Sequence, residues 1–147
     1  MNFLDIKLEA NDEATYCLRD FLGQKVILYF YPKDQTPGCI IEARNFSSLQ
    51  QEFLDQGYKI IGVSRDSVKS HKNFILKQNL NLLLLSDVDE KLVKAFDVLK
   101  EKQMFGKKYM GIVRSTFVIN ELGEVTKEYI KVSVKDHASK VLKDITN

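Results

Sequence analysis

The chain is poor in residues that cross-link or interrupt a polypeptide: of 147 residues two are cysteine, two are proline and none is tryptophan. Two cysteines, Cys17 and Cys39, are too few for a disulfide framework, and their spacing fits no zinc pattern. The two histidines, His71 and His137, stand far apart, each in a polar helical pattern, and read as solvated surface residues. No metal and no cofactor is expected. Charge of one sign is not in excess either: 22 Lys and Arg against 20 Asp and Glu leave +2, too balanced for a nucleic-acid partner. No apolar run approaches the roughly 18 residues that a membrane span requires. The opening MNFLDIKLEAND turns acidic where a secretion signal would be apolar, so a cytoplasmic location is expected. Repeats, linkers and low-complexity segments are absent, and residues 1–147 read as one domain, long enough for a core without disulfides.

What is there concentrates in one stretch. Residues 26–31 form an unbroken β-branched and aromatic run, as in a strand buried on both faces. Beyond it Ala43, Phe46, Leu49 and Phe53 recur at helical spacing, which puts Cys39 at or just inside a helix N-terminus. Backbone N–H groups there lack internal acceptors and the helix dipole is positive, so a reachable cysteine tends toward its thiolate form. Both prolines, Pro32 and Pro37, stiffen the preceding loop, Gly38 permits close backbone approach, and Thr36 sets a hydroxyl three residues before the sulfur. Dithiol exchange would need a second cysteine where Thr36 stands. A hydroxyl beside a thiolate suits the holding of a small oxygen substrate instead.

Pro32-x-x-x-Thr36-x-x-Cys39 resembles the peroxiredoxin active-site pattern. The longer YFYPKDQTPGC followed by Glu42-Ala43 is similar to the bacterioferritin-comigratory-protein (PrxQ) branch. LLLLSD at residues 82–87, the loop at 106–111 and RSTFVI at 114–119 extend the resemblance over nearly the whole chain. It implies a thiol peroxidase acting on hydrogen peroxide and organic hydroperoxides. Cys39 would be the nucleophile that becomes a sulfenic acid, with Thr36, Arg114 and the Cys39 N–H as donors to the reacting oxygens and Pro32 as shield. Glu42, one helical turn after Cys39, matches a family glutamate, either within the active-site network or merely favouring the helix N-terminus.

The remaining chain supplies a scaffold for that site. Residues 3–18 read as a β-hairpin turning at Asn11-Asp12, and residues 19–23 as a short helical turn. The Cys39 helix is expected to end near Gln56, with Gly57 as its stop, before a strand at 58–64. Next come a helix capped by Asp66 or Ser67, a strand at 82–85, and a third helix beginning at Ser86 or Asp87. Residues 98–111 lose regularity and read as a mobile loop near the site, a better reading of Lys100, Lys102, Lys107 and Lys108 with Phe105 and Tyr109 than nucleic-acid contact. A hairpin at 114–120 and 124–131 and a last helix capped at Ser133-x-x-Asp136 complete the chain. The order hairpin, βα, βα, βα, ββ, α is that of a thioredoxin-like α/β fold: a central mixed sheet flanked by helices, with an N-terminal β-hairpin.

Recycling departs from the branch. Many members carry a resolving cysteine five residues after the first, where this chain has Arg44, and residues 67–79, where others place it, hold none. Cys17 reads either as a small residue half-covered at a strand end or as a resolving or intermolecular cysteine. A one-cysteine cycle with an external thiol, a thioredoxin, a glutaredoxin or a small thiol, is expected. A peroxide sensor that passes oxidation from Cys39 to a partner is the alternative. No exposed apolar helix or tail stands out, so a monomer is expected.

Overall fold

Consecutive side chains of a strand point to opposite faces, so an apolar run without interruption must have both faces covered. The computed structural model, which describes residues 2–146, meets that demand with nine strands and five α-helices among those residues. They follow the order β1 (Leu8–Ala10), β2 (Thr15–Tyr16), β3 (Lys25–Phe30), α1 (Pro37–Ser48), α2 (Gln50–Asp55), β4 (Tyr58–Ser64), α3 (Val68–Gln78) and β5 (Leu83–Ser86). The second half continues with α4 (Lys91–Ala95), β6 (Leu99–Met104), β7 (Lys107–Ile112), β8 (Ser115–Ile119), β9 (Val125–Ile130) and α5 (His137–Ile145). The seven-stranded sheet runs β2-β1-β5-β4-β3-β8-β9, with β3, β4 and β5 parallel and both flanks antiparallel, while β6 and β7 pair separately. No helix among the described residues is long and apolar enough to cross a membrane.

The alternation along β3 divides the core in two. Val26, Leu28 and Phe30 pack with Ile61, Val63, Leu85 and the α4 residues Leu92 and Val93. Ile27, Tyr29 and Tyr31 pack on the other face with Phe46 of α1, Phe53 of α2, Phe74 of α3 and Val141 of α5. Phe46 is fully buried and stacks on Tyr29 with ring centroids 4.7 Å apart, a contribution of about 2–3 kcal/mol from burial alone. That packing seats the helix carrying Cys39 on the sheet.

Five expectations need correction. Residues 98–111 are not irregular: β6 and β7 form a hairpin around Phe105-Gly106, both at positive φ, as a tight two-residue turn requires. Most of that hairpin is solvent-exposed on both faces, so its sequence has no reason to alternate. The Cys39 helix breaks at Leu49 into α1 and α2, with Gly57 at φ +86° as the stop. The third helix begins only at Lys91, after Glu90 at φ +62°, and Asp136 precedes α5 without a side-chain cap bond. Finally, His71 and His137 are buried. His71 lies one turn before Phe74 on the inner face of α3, and His137 Nε2 lies 2.8 Å from Thr116 Oγ1, with Phe46 and Tyr129 edge-on to its ring. Polar neighbours in sequence concealed polar partners in space. Burial, reinforced by Arg114 and Lys140, lowers the His137 pKa to about 4.

Gly62 of β4 sits between Tyr29 and Leu84 of its two neighbours, and a Cβ there would come within 2.8 Å of both side chains. Gly62→Ala is expected to cost about 1–3 kcal/mol, read as a fall in Tm of roughly 3–10 °C. An unchanged melting curve would show that this contact relaxes freely.

Candidate active site

The site begins where β3 runs out. Residues 31–36 leave the sheet as a tight loop, with Gln35 at φ +64°, and Thr36 is the N-cap of α1 with Pro37 in the first helical position. Cys39 is therefore the third residue of the helix, with Sγ near the end where unpaired N–H groups gather. It is only 1% exposed. Thr36 Oγ1 donates to the Lys33 carbonyl at 2.8 Å, and Pro32 is half-buried in the same loop.

Arg114 reaches the sulfur from the other side of the chain. It immediately precedes β8, whose Ser115 pairs with Phe30 at the end of β3. That register aims its guanidinium at the start of α1. Nη2 donates to Cys39 Sγ at 3.4 Å and Nη1 to Glu42 Oε1 at 2.7 Å. Cys39 and Glu42 share one helix face by their three-residue spacing, so one planar cation contacts both. A Cβ on Gly38 would stand 3.1 Å from Nη2, so the missing side chain admits the guanidinium. Burial works against the Arg114 cation, but Glu42 and Cys39 outweigh it and hold its pKa above the ordinary arginine value. The Glu42 side chain is buried, and burial lifts its pKa from 4.5 to about 7 against the opposing charge and hydrogen bond of Arg114. Its second oxygen has no partner among the described residues, and neither does the buried Tyr29 hydroxyl.

A second cluster, unforeseen from sequence, ties the loop down. The Asp34 carboxylate accepts from Tyr31 Oη at 2.6 Å and Ser70 Oγ at 2.8 Å and faces His71 Nδ1 at 2.7 Å, while the Asp34 N–H donates to Asp66 at 2.9 Å. His71 Nε2 faces the Leu85 carbonyl at 2.9 Å. Asp34, Asp66 and His71 bring ligand-type atoms within 4.8 Å of one another, but these atoms are already engaged in the hydrogen bonds of the loop and α3. Asp34 stands inside the motif the sequence displays; only its partners were hidden.

The residues singled out in sequence thus divide. Cys39, Arg114 and Glu42 touch one another, with Thr36 and Pro32 in the adjoining loop. Cys17 lies half-buried just after β2, the edge strand four places from β3. At the usual strand spacing that is a lateral offset of roughly 19 Å, against the roughly 7 Å between Cα atoms that a disulfide tolerates.

A cysteine in the first turn of a helix that follows the central strand of a thioredoxin-like sheet, with an arginine on its sulfur, defines a cysteine-based oxidoreductase. The chain belongs to the AhpC/TSA family of peroxiredoxins, whose model matches residues 2–128, and membership makes it a thiol peroxidase that uses a peroxide substrate and a thiol reductant. Peroxiredoxin Bcp of Xanthomonas campestris is 49% identical over 94% of this chain and 86% of that protein, and Peroxiredoxin Bcp of Bacillus subtilis 48% over 96% and 90%. The solved structure of the Xanthomonas campestris bacterioferritin comigratory protein, described for its alkyl peroxide reduction, superposes with a TM-score of 0.93 at 47% identity, covering 97% of this chain and 91% of that one. Peroxiredoxin 6 of Arenicola marina, at 17% identity, shares the fold with a TM-score of 0.85 over 99% of this chain and 70% of its own.

Between pH 4.5 and about 7 the folded protein holds a proton on Glu42 that the unfolded chain has released. Stability therefore falls as pH rises through that window, by up to about 3 kcal/mol from this group. Glu42→Gln removes the titration, so urea unfolding at pH 4.5 and pH 7.5 should show the variant gaining on wild type by about that amount at the higher pH. A difference independent of pH would contradict a carboxyl kept neutral by burial.

Proposed function

We propose that Cys39 reduces hydrogen peroxide and organic hydroperoxides by direct attack on the O–O bond, as a one-cysteine enzyme recycled by an external thiol. The observation that carries this reading is the 3.4 Å contact between Arg114 Nη2 and Cys39 Sγ at the start of α1. A thiolate sulfur attacks one peroxide oxygen in line with the second, which leaves as alkoxide or hydroxide and takes up a proton, giving Cys39–SOH and an alcohol or water. Charge grows on the leaving oxygen, so donors fixed beforehand lower the barrier. Arg114, already oriented by Glu42, the Cys39 N–H and the Thr36 hydroxyl, once turned from the Lys33 carbonyl, are those donors, and Pro32 limits the approach of water.

Recycling follows in two thiol steps. A thiol displaces water from the sulfenic acid to give a mixed disulfide, and a second thiol displaces Cys39 from it. A thioredoxin, a glutaredoxin or a small thiol fits that role. The lateral offset of Cys17 supports an external thiol over an internal disulfide. We further read the chain as a single-domain monomer working in the cytoplasm.

Cys39→Ser is expected to abolish peroxide consumption, and Arg114→Ala to lower the rate constant for Cys39 oxidation by about 10²–10³; full activity in either variant removes that residue from the mechanism. Continued turnover with excess dithiothreitol marks an enzyme, whereas a halt after one equivalent marks a peroxide sensor. Intact mass after one equivalent of hydrogen peroxide should rise by one oxygen in both wild type and Cys17→Ser. Loss of two hydrogens in wild type alone would make Cys17 the resolving residue.

A further inference from the structure

Beside Arg114 lies a concavity of about 400 Å³ lined by Glu101, Lys102, Val113, Arg114, Lys131 and Val132. Three of its side chains are cationic and one, Glu101, is anionic. Among the described residues neither Lys102 nor Lys131 has a carboxylate within 4 Å. Among the described residues the one carboxylate on Arg114 is Glu42, whose charge burial withholds in part at neutral pH. A recess whose three cationic side chains outnumber its one carboxylate concentrates anions.

The backbone on both sides is shaped to put the two lysines there. Lys102 Nζ donates to the Ile112 carbonyl at 2.6 Å, which holds the ammonium two residues from Arg114 and leaves two of its protons free. Its stem crosses β7 at Gly111, where a Cβ would stand 2.8 Å from Lys102 Cδ. Burial, then Arg114 and Arg65, lower the Lys102 pKa against the pull of Cys39, so this ammonium sits within the field of both reacting groups. Lys131 adopts φ +60°, a conformation a lysine takes at a cost of about 1 kcal/mol, and the next N–H, of Val132, donates to the Arg114 carbonyl at 2.9 Å.

We propose that Lys102, Lys131 and Arg114 form an anion subsite that receives the carboxylate of a reactant approaching Cys39. The proposal rests on the peroxidase reading for its direction. Two reactants bring that chemistry: an organic hydroperoxide bearing a carboxylate, or a small carboxylated thiol that recycles the enzyme. The apolar walls of Val113 and Val132 accommodate the carbon chain between carboxylate and reactive atom in either one.

The test compares matched reagents in the Cys17→Ser background. One pair is 3-mercaptopropionate and its methyl ester, timed by release of 2-thiopyridone from a mixed disulfide on Cys39. The other is a hydroperoxide of a medium-chain acid and its methyl ester, timed by oxidation of Cys39 in stopped flow. The readout is the acid-to-ester rate ratio, divided by the same ratio in Lys102→Gln/Lys131→Gln; intrinsic reagent reactivity and any general loss of Cys39 reactivity cancel. A fall of fivefold or more is expected in at least one pair, and the pair in which it occurs identifies the reactant. Gly111→Ala, which keeps both charges but displaces the Lys102 stem, should lower the same ratio in part. A ratio that falls by less than fivefold in both pairs overturns the subsite. Failure of both hydroperoxides to oxidise Cys39 would instead overturn the peroxidase reading, and the thiol pair would then decide the subsite alone.

Discussion

One guanidinium organises this site. Arg114 bridges a thiol and a buried carboxyl on the same face of one helix, and each feature of the fold nearby serves that contact. Pairing of β3 with β8 aligns the arginine with the end of the strand that leads to the helix, and Gly38 leaves room for its Nη2. Phe46 and Tyr29 keep the helix on the sheet. Arginine suits this place because its charge persists under burial and its planar fork holds two acceptors at once. Glu42 is the other half of the arrangement: burial withholds part of its charge near neutral pH, so the cation beside the sulfur is only partly neutralised within the protein.

The loop before Cys39 is held as firmly as the arginine. Asp34 is anchored by Tyr31, Ser70 and His71, and through its own N–H by Asp66, so a short exposed-looking segment is fastened to β3 and α3 by buried hydrogen bonds. Satisfied buried networks of this kind favour one geometry over its neighbours. Rigid support matters for a reaction whose rate depends on the line between sulfur and two oxygens. The β6–β7 hairpin is the opposite case: a two-stranded ribbon outside the main sheet, exposed along most of its length, whose inner end carries Lys102 toward the same site.

Much of this was legible in the chain. The unbroken run at 26–31 announced a central strand, the helical recurrence of Ala43, Phe46 and Phe53 placed Cys39 at a helix start, and strand–helix alternation implied parallel pairing. Positions without strong periodicity were not legible. The exposed β6–β7 hairpin has no core to impose alternation, and His71 and His137 have polar sequence neighbours although their rings meet Asp34, Thr116 and the aromatic core. Asp34 was visible within the motif, but its role depends on residues more than thirty positions away.

The division has a physical basis. Sequence by itself determined what local spacing and composition can determine: the strand–loop–helix around Cys39, a hydroxyl in place of a second cysteine, the lack of a nearby resolving thiol, and the α/β order of elements. These rest on backbone conformation and on the period of side chains along one element. Tertiary structure alone decided which distant groups meet: that Arg114 spans Cys39 and Glu42, that Cys17 sits four strands from β3, that two histidines are internal, and that Lys102 and Lys131 converge beside the arginine. Strand register and burial set those meetings, and both are properties of the whole sheet.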